Sequence, residues 1–322
     1  MDFITEIKGK VLKKLPITQE DAFHLFSQPL DELCRAANEI RIHFCQDTFD
    51  ICTIINAKSG HCSENCKYCA QSMHYDTSCE EYPLLSSEEI VNHAKYNCEQ
   101  GVLRYSLVTS GRTLGDDEVE KVCATVAEIK EKVPIQVCGS FGLLKKEQYQ
   151  RLYESGLTRI HNNLETSKSN FPNMCTTHSF EDKVSAIGLA KEAGMYICSG
   201  GIFGIGESIQ DRIDLAFSLK ELGIKSIPIN LLNPVKGTPY EGLKPLGEEE
   251  IRRIVAVYRF ILPDAYIRLA GGRGLLLDKG RSCFLSGANA AISGDMLTTA
   301  GISIETDLKM IAELGFEVKS HE

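Results

Sequence analysis

Residues 60–72, GHCSENCKYCAQS, place three cysteines, Cys62, Cys66 and Cys69, at C-x3-C-x2-C spacing. Thiolates ligate soft and borderline metals, so this stretch is a candidate metal loop. Structural zinc sites usually come as paired C-x2-C clips, and the chain has no second clip. A four-cysteine iron–sulfur site wants its last ligand nearby or in a matching run, and Cys79 follows ten residues later without such spacing. Three thiolates can instead hold three irons of a 4Fe–4S cube and leave the fourth iron open to a small molecule. An open metal position marks a reactive site.

The elements that must position this loop are legible as a pattern. Strand candidates fall at 50–56, 103–109, 134–140, 158–164, 195–201, 226–232, 265–271 and 283–289. Amphipathic helical stretches lie between most of them. SSEEIVNHAKYNCEQG opens with a Ser-x-x-Glu capping box and closes on Gly101, and two later stretches repeat the idea. Eight strands alternating with helices predict a parallel sheet closed into a (βα)8 TIM barrel, with the metal loop after strand one on the C-terminal rim. The gap between strands seven and eight is short for this scheme. Residues 1–45 are expected as a helical cap at the bottom of the barrel, 46–300 as the barrel and 301–322 as a closing helix and tail. With no low-complexity linker, the chain reads as a single domain.

A net charge of −9 and the absence of a basic block argue against a nucleic-acid or anionic-membrane surface. No apolar run reaches the ~18 residues that would span a bilayer. The opening MDFITEIKGKVLKKLP lacks a signal-peptide core, so a cytoplasmic protein is expected. Thirteen cysteines in that setting favour metal ligation and core filling over disulfides. Cys34, Cys45, Cys79, Cys98, Cys123 and Cys175 are read as packing residues.

C-x3-C-x2-C with an aromatic, Tyr68, before the third cysteine resembles the radical S-adenosylmethionine signature. NAKSGHCSENCKYCAQS is similar to the biotin synthase family in particular. The likeness continues in family order through HNNLETS (161–167), CSGGIFGIGES (198–208), PINLL (228–232), KGTP (236–239), IRLAGGR (267–273) and FLSGANAAISGD (284–295). It implies that the open iron binds S-adenosylmethionine and that an electron from the cube cleaves the sulfonium to methionine and a 5′-deoxyadenosyl radical. The implied reaction is radical insertion of sulfur into dethiobiotin. Implied partners are an electron-donating flavodoxin or ferredoxin and a second copy of the chain in a homodimer.

The resemblance also carries site residues. Gly200, Ile202, Gly204 and Glu207 resemble the family's G-x-I-x-G-x-x-E element beside the adenine. Asn163 and Glu165 match the residues that hold the ribose, with Glu165 where the family usually has Asp. Asn163 and Asn230 match the asparagines on the ureido ring of dethiobiotin, a task suited to an amide that donates and accepts at once. Lys183 falls where an arginine assists the S-adenosylmethionine carboxylate, keeping the charge but not the fork.

Biotin synthases hold an auxiliary cluster deep in the barrel, thought to supply the inserted sulfur, on three cysteines and one arginine. Cys138, Cys198 and Arg268 match three of those four, but Ser106 stands where the third cysteine belongs. Serine is a poor ligand for such a site. Barrel layers take side chains from alternate strands, and Cys52, Cys138, Cys198 and Arg268 lie on strands one, three, five and seven. Cys52 is therefore the expected replacement, with either a 2Fe–2S or a larger cluster carrying an extra sulfide. Rival readings are a related radical maturase or mutase of the same fold, and a non-catalytic iron–sulfur electron carrier.

Overall fold

A computed structural model describes residues 2–297 and 301–319. Residues 298–300, at the end of the expected barrel segment, and 320–322, at the end of the expected tail, lie outside them. The apolar runs form β1 (Thr48–Lys58), β2 (Arg104–Thr109), β3 (Gln136–Ser140), β4 (Arg159–His161), β5 (Tyr196–Cys198), β6 (Gly201–Phe203), β7 (Ser226–Leu231), β8 (Tyr266–Leu269) and β9 (Ala290–Ser293). All pair in parallel, in the order β1-β2-β3-β4-β5-β7-β8-β9, and β9 returns to β1. β6 resumes the fifth stave after β5 by pairing with β7. The result is a closed eight-stave barrel. A short β10 (Glu317–Val318) pairs with the start of β1 at Thr48 and Phe49.

The break between β5 and β6 has a steric cause. A Cβ on Gly200 would lie 2.0 Å from the Pro228 carbonyl oxygen, so only glycine lets the staves meet there. The eighth strand differs from expectation: it is Ala290–Ser293, not 283–289. Arg281–Phe284 is instead a helical turn, and Gly287, at φ +113, redirects the chain before the strand begins. A short apolar run has no periodicity that separates strand from helix, and here the glycine marks the helix exit.

The helices form where their caps were read. Ser86 and Glu89 make a reciprocal capping box on Ser87–Glu99, and Ser179 and Asp182 do the same on Phe180–Glu192. Helix Asp116–Lys132 likewise buries Val119, Val122, Val126 and Ile129 against the outer barrel wall, each worth about 1.5–3 kcal/mol. Three N-terminal helices, Phe3–Leu12, Gln19–Phe26 and Leu30–Cys45, precede β1. The third packs along Glu248–Ile261, and Cys45 at its end lies against the Pro263 and Ala265 carbonyls below β8. Helix Ile304–Glu313 is pinned by Asp307, whose carboxylate accepts from Arg273 at 2.8 and 2.5 Å, both side chains 1% exposed.

Candidate active site

Cys62, Cys66 and Cys69 lie on the loop leaving β1 and line a cavity of about 400 Å3 that runs down from the C-terminal mouth of the barrel. That size suits a small-molecule site. Backbone bonds fix the loop: Cys69 N–H donates to Cys66 O at 3.0 Å, Cys62 N–H to Gln71 O at 3.0 Å and Met73 N–H to Cys62 O at 2.9 Å. Burial pushes the Cys69 thiol up to about 12. The Cys66 thiol is raised as well, first by its contact with Cys175 and then by burial. Metal binding would draw off the protons of such thiols.

From the loop itself, Tyr68 Oη donates to Glu165 Oε1 at 3.0 Å. Glu165 is buried, sits in the left-handed region at φ +70, and its Oε2 has no hydrogen-bond partner among the described residues. A strained backbone that presents an orphaned carboxylate oxygen to a cavity fits a hydroxyl-bearing ligand, as a ribose would be. Lys183 Nζ donates to Asn162 Oδ1 at 3.1 Å and offers its charge to the same space.

Asn163 and Asn230 both line the cavity. Asn163 Oδ1 accepts from Gly200 N–H at 3.0 Å. Asn230 ties β6 to the loop after β8, donating to Gly201 O at 3.1 Å and accepting from Gly271 N–H at 3.0 Å. An amide has two donors and two lone pairs, so Asn230 keeps one of each for a ligand. Ile202 reaches the cavity, whereas Gly200, Gly204 and Glu207 do not line it. The Glu207 carboxylate instead accepts from Gly204 N–H at 3.0 Å, Ile205 N–H at 2.8 Å and Arg212 Nε at 2.8 Å. Glu207 thus clamps the turn that follows Ile202.

Deeper down, the strand register groups four residues. Cys52 pairs through Arg104 to Gln136, and Cys138 lies two residues on. Cys138 pairs through Arg159 to Tyr196, two before Cys198. Cys198 pairs through Ser226 to Tyr266, two before Arg268. Arg268 pairs through Ala290 to Asp50, two before Cys52. Four steps of two make a shear of eight, the value of this barrel type, so these side chains form one closed layer. By the same steps Ser106 belongs with His161, Pro228 and Ile292, in the next layer toward the mouth.

All four members line the cavity, and Arg268 Nη1 donates to Cys52 Sγ at 3.2 Å. Asp50, below the layer, holds Arg268 at 2.6 Å and Arg104 at 3.7 Å. Burial pushes the Cys52 thiol up to about 12, although Arg268 pulls the other way. Burial also raises the Cys198 thiol, but a hydrogen bond and charge from His161, with Arg268 and Arg159, bring it down to about 6. The layer therefore combines three sulfurs with a cationic surround that favours thiolate at Cys198, while burial favours the thiol at Cys52. Sequence reading missed Arg104, Arg159 and His161; the signal was their two-residue spacing about Ser106 and within β4. Cys175, read as a packing residue, is buried in the core as expected, and its Sγ also lies 3.7 Å from Cys66 Sγ and 3.3 Å from His178 Nδ1.

Comparison with known proteins bears on what these two sulfur sets serve. Residues 57–219 match the radical SAM superfamily, and 228–317 match the biotin and thiamin synthesis associated domain. Biotin synthase from Brachyspira hyodysenteriae is 56% identical, across 99% of this chain and 96% of its own length. Biotin synthase from Akkermansia muciniphila is 54% identical, across 99% of both. This chain belongs to the biotin synthase family. As a family member it is a radical SAM enzyme of the sulfur-inserting kind, for which a 4Fe–4S cluster and S-adenosylmethionine are the cofactors. Methylornithine synthase shares the fold at a TM-score of 0.82 and 19% identity, over 98% of this chain and 97% of that one. The FeFe-hydrogenase maturase from Carboxydothermus hydrogenoformans does so at 0.81 and 18%, over 97% and 78%. Among the described residues, no helix is long and apolar enough to cross a membrane.

Proposed function

We propose that this chain converts dethiobiotin to biotin, and the observation that carries the proposal is the pairing of a three-cysteine rim loop with a three-cysteine, one-arginine layer in one cavity. Cys62, Cys66 and Cys69 hold the 4Fe–4S cube, and no fourth protein thiolate closes it. When bound, the cube and S-adenosylmethionine supply reductive cleavage to a 5′-deoxyadenosyl radical. Tyr68 fixes Glu165, whose free Oε2 takes a ribose hydroxyl; Lys183 faces the methionine carboxylate. Ile202 packs on the adenine, with Gly200, Gly204 and Glu207 shaping its turn.

Asn163 and Asn230 orient the ureido ring between the rim loop and the deep layer. Cys52, Cys138, Cys198 and Arg268 hold the auxiliary cluster, which serves as the sulfur source. The barrel walls keep water and other hydrogen donors from the carbon radicals. A reducing cytoplasm, a flavodoxin or ferredoxin as electron donor and a homodimer complete the reading.

The first test is anaerobic addition of S-adenosylmethionine to the reduced, reconstituted protein. Release of 5′-deoxyadenosine supports the proposal; none would be formed by an electron carrier.

A further inference from the structure

Cys66, Cys175 and His178 converge although 109 residues separate the two cysteines. Their ligand atoms lie within 4.8 Å of one another, with Cys66 Sγ to Cys175 Sγ at 3.7 Å and Cys175 Sγ to His178 Nδ1 at 3.3 Å. Two sulfurs bonded to one tetrahedral zinc stand ~3.8 Å apart, and a sulfur and an imidazole nitrogen ~3.6 Å. The S–S separation matches the first value, the S–N separation is slightly shorter than the second, and all three ligand atoms lie within reach of one ion.

The surroundings are built and rigid. The His178 and Glu64 side chains are 5% and 8% exposed, and Glu64 Oε2 lies 2.5 Å from His178 Nδ1. Phe171 packs its ring on His178, edge to face. Asn65 Oδ1 accepts from Thr176 N–H at 2.9 Å and so ties the cysteine loop to the segment bearing Cys175 and His178.

We propose that the cluster-free chain binds one thiophilic divalent cation, zinc or ferrous iron, on Cys66, Cys175 and His178. Asn65 Oδ1, 3.4 Å from Cys175 Sγ, and Glu64 Oε2, 2.5 Å from His178 Nδ1, flank the fourth position. Binding releases thiol protons to solvent and involves no change of oxidation state. Because Cys66 also serves the rim cube, the lone ion and the cube exclude each other; this exclusion, unlike the binding, rests on the cluster role given above to Cys66. Excess zinc therefore blocks cluster assembly through a site that the three-cysteine loop alone does not make.

Titration of Co2+ into the full-length, cluster-free protein tests the site. The expected signal is thiolate charge transfer with tetrahedral d–d bands. One equivalent is lost, or bound at least about tenfold more weakly, in each of Cys66→Ser, Cys175→Ser and His178→Ala. That equivalent persists in the Cys62→Ser/Cys69→Ser protein. Unchanged binding in Cys175→Ser, or loss of the equivalent in Cys62→Ser/Cys69→Ser, would overturn the proposal and assign the ion to the loop alone. Both comparisons stand even if His178→Ala fails to fold. In a second arm, equimolar Zn2+ should slow iron and sulfide uptake at the rim about tenfold in the natural protein and leave Cys175→Ser unaffected. Zinc bound at the site with unhindered uptake would overturn the exclusion, and with it the place of Cys66 in the cluster.

Discussion

Arg268 Nη1 donates to Cys52 Sγ at 3.2 Å, on the strand layer below the one that holds Ser106. On the proposed reading, Cys52 takes the ligand place that Ser106 leaves, from a different stave at a different height. Cys52→Ala should strip iron and sulfide from the deep site and end biotin formation, while the rim cube still cleaves S-adenosylmethionine. Ser106→Ala should keep both clusters and change stability by no more than about 0.5 kcal/mol. Iron and sulfide analysis of the reconstituted variants decides it, and cluster loss in Ser106→Ala alone would make the serine oxygen the ligand.

Replacing Cys66 by Ala should abolish 5′-deoxyadenosine formation with the barrel intact. The loop lies on the rim, and its side chain packs only at the edge of the core. Circular dichroism and a thermal midpoint close to that of the natural protein check the fold; retained cleavage would remove Cys66 from the radical site.

At Glu165 two effects separate. Glu165→Ala removes the acceptor for a ligand hydroxyl and should weaken S-adenosylmethionine binding by about 10- to 100-fold, as expected for a hydrogen bond to a charged group. Glu165→Gly should bind as weakly, yet be more stable than Glu165→Ala by about 1 kcal/mol, because the position holds φ +70. Equilibrium binding and denaturant midpoints measure the two terms; equal stability of the variants would show that the backbone there is unstrained.

Asn230→Ala should raise the KM for dethiobiotin far more than it slows uncoupled cleavage of S-adenosylmethionine. It should also cost about 1–3 kcal/mol of stability, since the amide holds Gly201 O and Gly271 N–H together. Equal loss of both activities would reduce Asn230 to the structural tie alone.

The barrel and its layer could be read from the chain because strands alternate their faces and layers draw on alternate staves. Cys52, Cys138, Cys198 and Arg268 each carry that information locally. The last stave could not be placed, because 283–289 is as apolar as a strand and only Gly287 in the left-handed region reveals the helix exit. Glu207 looked like a ligand contact, yet its carboxylate is spent on the backbone of its own turn, a distinction that only geometry makes. Cys175 was hidden for another reason: its neighbour Cys66 is 109 residues away, and thiols fill cores as readily as they bind metal.

Asp307→Ala would leave the Arg273 guanidinium buried without its carboxylate and should destabilise the chain by about 3–5 kcal/mol. The loss should appear in the denaturant midpoint. A change below about 1 kcal/mol would mean that water reaches Arg273 when the last helix loosens.

The account turns on sulfur insertion, and anaerobic turnover measures it most directly. The reconstituted protein is reduced and supplied with S-adenosylmethionine and dethiobiotin, and biotin and 5′-deoxyadenosine are quantified together. The expected result is biotin that retains sulfur from the protein's own sulfide, with one 5′-deoxyadenosine for each of the two C–H bonds broken. Steady 5′-deoxyadenosine formation that dethiobiotin does not alter, with no biotin, would contradict the account and point to a radical enzyme acting on another substrate.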